Sequence, residues 1–308
     1  MMSRLPRLVT LILTAIVLAA PAACADQSTG TAKFEDVRVE SVAADGMSVD
    51  GVLLPQMTAM HFVVGDAVLQ DRLKELHKGD HVSVLAATDN GQTTVQNMSL
   101  KTVPVGVRNR VLALLGSIVA FWLVCFLLSG FHPQKLIMGE DGRFSNSKFQ
   151  TVLWFGIVVV SYLATFWMRA RILGGNMLGG INIPQNLFLL SGMSALTFTA
   201  AKGITVAKIQ SAAAAGVVNV KPFATAARFW SDLTSNDSNQ FDLGDFQMLA
   251  MTFLAVGTFT VLMFHFLGSL EARTIVNLPD VDTTILASFG LGHGAYLTKK
   301  AVGTVGNA

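Results

Sequence analysis

The sequence predicts a chain in two parts behind a signal peptide. A small all-β barrel comes first, then an α-helical membrane bundle of about five transmembrane helices with an internal parallel repeat. Three observations predict it. Of 308 residues, 52% are hydrophobic and only 14% charged, with a mean hydropathy of +0.53, whereas a soluble domain carries about 25% charged residues. Apolar residues alternate as far as Val107 and run on in long stretches after Arg110. Two stretches of the second half also match each other at polar landmarks.

Residues 1–25 read as the signal peptide. Arg4 and Arg7 form its charged start, Leu8 to Ala20 its apolar stretch, and Ala23-Cys24-Ala25 a small-residue cleavage site before Asp26. Without Arg4 and Arg7, acids and bases balance, which argues against a nucleic-acid partner. Cleavage would leave Cys125 as the single cysteine, with no partner for a disulfide and no cysteine-based zinc site.

Residues 26–107 hold 11 acids and 6 bases. Lys33–Val42 and Met47–Leu54 alternate as half-buried strands around an Asp45-Gly46 turn, and Thr58–Val64 is a third. Asp66–Leu76 switches to helical spacing, with Val68, Leu69, Leu73 and Leu76 expected on one face. Strands at His81–Ala86 and Gln92–Leu100 flank an Asn90-Gly91 turn. Five strands with one helix between the third and fourth is the order of an OB-like barrel.

Pro55-Gln56-Met57-Thr58-Ala59-Met60-His61-Phe62, then a helix, then Leu76-His77-Lys78-Gly79-Asp80-His81-Val82, resembles the small periplasmic copper-binding OB-fold domains of metal efflux systems. That resemblance implies a soft Cu(I) site at Met57, Met60 and His61. The family also uses a tryptophan near its site, and residues 26–107 contain none. On a strand Met60 and His61 point to opposite faces. The residues themselves therefore predict no metal and no cofactor, and copper handling stays an alternative.

Val111–Phe131, Phe149–Met168 and Phe246–Leu270 are each long enough to span a bilayer, and Asn186–Ala201 and Thr283–Thr298 are shorter, Gly-, Ser- and Thr-rich candidates. If all five cross, the 132–148 and 202–245 loops and the C-terminus fall on one side. That side carries Lys135, Arg143, Lys148, Lys202, Lys208, Lys221, Arg228, Lys299 and Lys300, against Arg108, Arg110, Arg169, Arg171 and Arg273 on the other. The positive-inside bias makes the first side cytoplasmic and the N-terminal domain periplasmic, in a bacterial inner membrane.

The duplication is carried by spacing. Phe144, Phe149 and Gln150 recur as Phe241, Phe246 and Gln247, and Asn182-Ile183-Pro184 recurs as Asn277-Leu278-Pro279. Gly192, Ser194, Phe198 and Lys202 correspond to Gly290, Gly292, Tyr296 and Lys300. Residues 144–204 and 241–302 thus read as two copies of a membrane hairpin, joined by a 205–240 linker. Ser145 and Asp242 are the expected N-caps, each followed by a staple of Phe144 on Phe149 or Phe241 on Phe246. Pro222–Ser235 has the spacing of an amphipathic surface helix, with Trp230 at headgroup depth. The run Asp141-Gly142-Arg143-Phe144-Ser145, with Ser147-Lys148-Phe149-Gln150 after it, resembles segments of bacterial inner-membrane proteins to which no activity is assigned. It implies an envelope location only.

No catalytic motif is present. Leu173–Gly180 is glycine-rich but lacks the lysine and the strand–helix context of a phosphate loop. Asp237–Asp242 lacks the glycine and glutamate of a calcium loop. The leading expectation is a non-enzymatic scaffold or anchor whose partners are the lipid bilayer and another envelope protein; a homo-oligomer is compatible with it. The alternative is a small channel or transporter. Its path, or the helix packing that replaces it, would lie at Gly192, Ser194, Lys202, Gly290, Gly292, His293 and Lys300. His265 is a second intramembrane histidine near a span end.

Overall fold

The computed structural model describes residues 31–302 except 90, 175–178, 215, 217–225 and 236–239. The expected signal peptide, the start of the 222–235 segment, the first half of the 237–242 run and the middle of the 173–180 run lie outside the described residues. The chain divides into two compact units, 31–78 with 82–99 and 79–81 with 100–302.

In the first unit, alternation becomes sheet. Strands β1 (Thr31–Val42), β2 (Ser48–Leu53) and β3 (Thr58–Val63) precede helix α1 (Ala67–Lys74), and β4 (His81–Asp89) and β5 (Gln92–Pro104) follow. Val37, Val39, Val49, Phe62, Val84, Ala86, Val95 and Met98 point into the core. The residues between them face out, as in the Arg38–Glu40 ion pair of 2.8 Å on one side of β1. Gly46 makes the β1–β2 turn at φ +73°. Gly51 carries no Cβ because one would sit 2.4 Å from Val37 Cγ1. Antiparallel register runs from Val37↔Leu53 to Val42↔Val49, with a bulge between Val39 and Ser41 that bends β1.

The strands hydrogen-bond in the order β3-β2-β1-β4-β5, and β3 also meets β5. Among the described residues that last pairing is the single parallel pair Val63↔Thr94. The barrel expected from the sequence is therefore not closed. β3 ends at Val63, where the chain turns through Gly65 toward α1 and leaves one residue facing β5. Asp66 caps α1 by accepting from the Val68 amide at 2.7 Å. Leu69 and Leu73, one turn apart, are buried. Val68 is 64% exposed, which corrects the expected four-residue face: residue 68 stands about 100° around the helix from residue 69.

The second unit contains α2 (Val107–Leu128), a 3₁₀ turn at Pro133–Leu136, α3 (Asn146–Ile172), β6 (Ile181–Asn182) and α4 (Gln185–Ala214). It continues with α5 (Phe229–Thr234), α6 (Leu243–Phe266), β7 (Ser269–Glu271), β8 (Val276–Asn277) and α7 (Thr283–Val302). Four of these helices, α2, α3, α4 and α6, are long and apolar enough to cross a membrane. This is a membrane protein with a separate β-sheet domain. The expected fifth span does form α7, but its glycines, threonines, His293, Lys299 and Lys300 keep it out of that set. The expected short helix at 186–201 is instead the first half of the 30-residue α4. The expected amphipathic helix at 222–235 is reduced, within the described residues, to the six residues of α5.

Helix α3 packs on α4, α4 on α7, α7 on α6 and α6 back on α3, so the four close a ring. Helix α2 packs on α3, where Gly156 lets the Phe121 ring lie against the backbone; a Cβ there would be 2.8 Å from Phe121 Cε1. At one end β6 and β8 pair in parallel, Ile181↔Val276 and Asn182↔Asn277. At the same end Asn182 Nδ2 donates to Asn277 Oδ1 at 3.0 Å and Asn186 Nδ2 to Asp280 Oδ2 at 3.1 Å. The last residues of β5 pair with β7, Thr102↔Glu271 to Pro104↔Ser269.

The other end carries the caps. Ser145 Oγ accepts from the Lys148 amide, and Asp242 Oδ1 accepts from Gly244 (2.9 Å) and Asp245 (3.3 Å) while its other oxygen pairs with Lys299. Phe241 stacks on Phe246 as expected, centroids 5.6 Å apart. Phe144 and Phe149 are bridged differently. The ring of Phe229 stands against both, at 5.4 and 5.6 Å.

Candidate functional site

The ring of four helices defines an axis, and ring order makes α3 and α7 diagonal partners. They meet through Trp154 and Phe289, whose rings touch edge to face at 5.7 Å. Direction follows from the helix ends. Asn146 Nδ2 donates to the Asp245 carbonyl at 3.3 Å, and Asp242 pairs with Lys299. The start of α3, the start of α6 and the end of α7 therefore share one end of the bundle. One turn from Trp154 toward that end is Gln150, and one turn from Phe289 toward it is His293. Both stand at the same level of the axis.

That level is polar and dry of charge. Gln150, Trp154, Ser194 and Thr252 have no exposed surface, and Thr197 and His293 keep 3% each. The hydroxyls turn back on their own helices, Ser194 Oγ to the Leu190 carbonyl at 3.1 Å and Thr252 Oγ1 to Met248 at 2.8 Å. Thr151 Oγ1 reaches the Ser194 carbonyl at 3.2 Å, which fixes α4 at this height. Gln150 Nε2 donates to Asn146 Oδ1 at 3.2 Å. Among the described residues, Gln150 Oε1, Trp154 Nε1 and both ring nitrogens of His293 have no hydrogen-bond partner. The His293 ring lies 4.2 Å from that of Phe289.

The sequence candidates separate on this geometry. Ser194 and His293 are brought to the axis. Lys202 is not: it pairs with Glu140 at 3.1 Å on the surface. Lys300 lies over the Tyr296 ring at 5.7 Å, and its carbonyl accepts from Lys208. A Cβ on Gly290 would touch Met193 Sδ at 3.7 Å, whereas one on Gly192 or Gly292 would meet no described atom within 4 Å. Matched landmarks also part company: Gln150 is buried and Gln247 exposed.

Sequence reasoning passed over Gln150 and Trp154 as site residues, and it counted Arg169 only as a charge near a membrane face. Arg169 is 1% exposed. Its guanidinium donates to the Glu271 carbonyl at 2.7 Å and to that of Arg273, clamping the β7–β8 loop onto the end of α3. A lone arginine near a span end carries no sequence signal for such a role.

In the first unit, Met57 is 63% exposed in a turn at φ +58°. Met60 faces Gly51 and His61 faces Asp50 across the sheet, on opposite sides of β3. His61 Nδ1 is held by Asp50 Oδ1 at 2.6 Å, and Ser41 Oγ donates to Asp50 Oδ2 at 2.7 Å. These two bonds, His61 first, hold the Asp50 carboxyl below its usual range. The carboxylate is the middle member, so the three do not form a Ser–His–Asp relay. Among the described residues no group of three His, Cys, Asp or Glu is placed to hold a metal ion. No family model, curated protein or solved structure matches the chain.

Proposed function

We propose that the protein is a non-enzymatic, multi-pass protein of a bacterial inner membrane that presents an OB-like domain in the periplasm as a docking module for another envelope protein. The observation that carries the reading is the strand order. β3-β2-β1-β4-β5 with a parallel β3–β5 contact and a helix between β3 and β4 is the connectivity of a five-stranded OB barrel. Such barrels are binding surfaces, and with 11 acids against 6 bases this one favours a protein over a nucleic acid.

Helix α7 is the fifth crossing in this reading. It has 20 residues, about 30 Å of helix. It runs from just after the β6–β8 pairing to Lys299 at the Asp242 end, the full height of α6. The two hairpins α3–α4 and α6–α7 then form a duplicated unit about an axis along the membrane normal, supported by the side-by-side Asn182 and Asn277. Burial of Arg169 on backbone carbonyls removes it from the free positive charges of the outer face and sharpens the positive-inside bias.

Reporter fusions test the orientation. A fusion near Gly91 is expected to be active only in the periplasm and one after Ala308 only in the cytoplasm; reversed signals overturn the reading. Crosslinking from the β-sheet domain in cells is expected to trap an envelope protein. Crosslinks confined to lipid would remove the docking role.

A further inference from the structure

We propose that the bundle axis one turn from the Trp154–Phe289 contact is a binding site for a small uncharged molecule that offers both a hydrogen-bond donor and an acceptor. Two sources fit that chemistry, solvent water and an organic solute such as a primary amide.

The argument begins with unspent hydrogen-bonding capacity. A buried polar group without a partner costs about 1–3 kcal/mol, so such groups are rarely left alone. Here Gln150 Oε1 accepts, Trp154 Nε1 donates, and a neutral His293 ring does one of each; among the described residues none has a partner. They belong to helices that face each other diagonally, and Gln150 and His293 share one level.

The surroundings set the ligand's charge. Buried residues of α4 beside this level are Leu190, Ser194 and Thr197, and those of α6 are Met248, Leu249 and Thr252. Neither they nor Gln150, Trp154 and Phe289 carry a charge. The charged groups on the flanking turns, Lys148, Asp242, Asp245, Lys299 and Lys300, lie toward the bundle end, where the Lys148 ammonium is held by the Met138 carbonyl at 2.7 Å and Asp242 by Lys299. A metal ion would find no carboxylate and an anion no cation, which leaves a neutral molecule. The Trp154–Phe289 contact closes the site on its inner side. Beyond it the axis is lined by Leu187, Ala255, Phe259 and Met263. The geometry therefore points to a one-ended pocket, independent of what the β-sheet domain binds.

The test uses the full chain in detergent micelles, labelled with ¹⁵N-histidine. The His293 ring signals are assigned by their loss in His293→Phe, or in His293→Gln should the first variant fail to accumulate. A cross-peak between the His293 ring and water is expected. If added acetamide leaves it in place, water is the occupant. If acetamide removes it with saturation, and Gln150→Leu weakens that effect at least several-fold, an organic solute is. Absence of both contacts in a folded protein whose other histidines show theirs overturns the proposal.

Discussion

Trp154 on α3 and Phe289 on α7 meet edge to face, with ring centroids 5.7 Å apart and planes inclined by 84°. Because α3 and α7 are diagonal in the ring of helices, this contact joins the two hairpins through the centre. It also marks where the axis changes from polar to apolar.

Trp154→Ala is expected to lower stability by about 3–5 kcal/mol, since the side chain has no exposed surface and the diagonal geometry leaves no neighbour to fill the space. Trp154→Phe is expected to cost less. Thermal unfolding of the detergent-solubilised chain reads the difference; equal melting temperatures for wild type and Trp154→Ala would contradict a packed centre.

Arg169→Leu is expected to strand two backbone carbonyls of the β7–β8 loop and leave no guanidinium to fill the site. Hydrogen bonds to charged groups contribute about 1.5–3 kcal/mol each. Arg169→Lys is expected to restore only part of the loss, because an ammonium does not reproduce the fork that spans Glu271 and Arg273. Proteolysis of the 269–277 segment in micelles checks both variants, with faster cutting in Leu than in Lys.

Asp242 has two duties that substitutions separate. Asp242→Asn keeps a capping oxygen for Gly244 and Asp245 but removes the charge that faces Lys299. Asp242→Ala removes both, and the cap alone is worth about 1 kcal/mol. The melting temperature is expected to fall in the order wild type, Asn, Ala. Coincident Asn and Ala curves would show that the cap contributes nothing.

The Asp50 carboxyl is expected to titrate below the ordinary aspartate range, because His61 and Ser41 both hydrogen-bond its charged form. A depressed folded-state value stabilises above the unfolded pKa of about 3.9, and that contribution is lost as pH falls through the folded value. With Asp50 57% exposed, solvent screening limits the effect to at most about 1 kcal/mol. A ¹³C titration of the carboxyl that shows an ordinary or raised value would remove the Ser41–Asp50–His61 arrangement.

The sheet domain was legible because alternation and turn residues act locally. Val37, Val39, Val49 and Phe62 announce their burial by spacing alone, and the helical spacing after Asp66 became α1. Closure of the barrel was not legible, because it depends on how far β3 continues before Gly65. The long apolar helices and their caps followed from run length and from Ser145 and Asp242. The site did not. Gln150 and Gln247 occupy equivalent places relative to their caps, yet one faces the axis and the other the surface, and only helix packing decides which. Phe229 between Phe144 and Phe149 has the same origin, since a ring from the intervening linker takes the place of a staple within one helix.

The central claim is that an acidic β-sheet domain stands outside the cell membrane while the apolar helices are held within it. Protease added to spheroplasts tests this most directly. The account predicts that residues 31–103 are cut from intact spheroplasts while the helical part stays protected. A sheet domain that resists until the membrane is broken would contradict it.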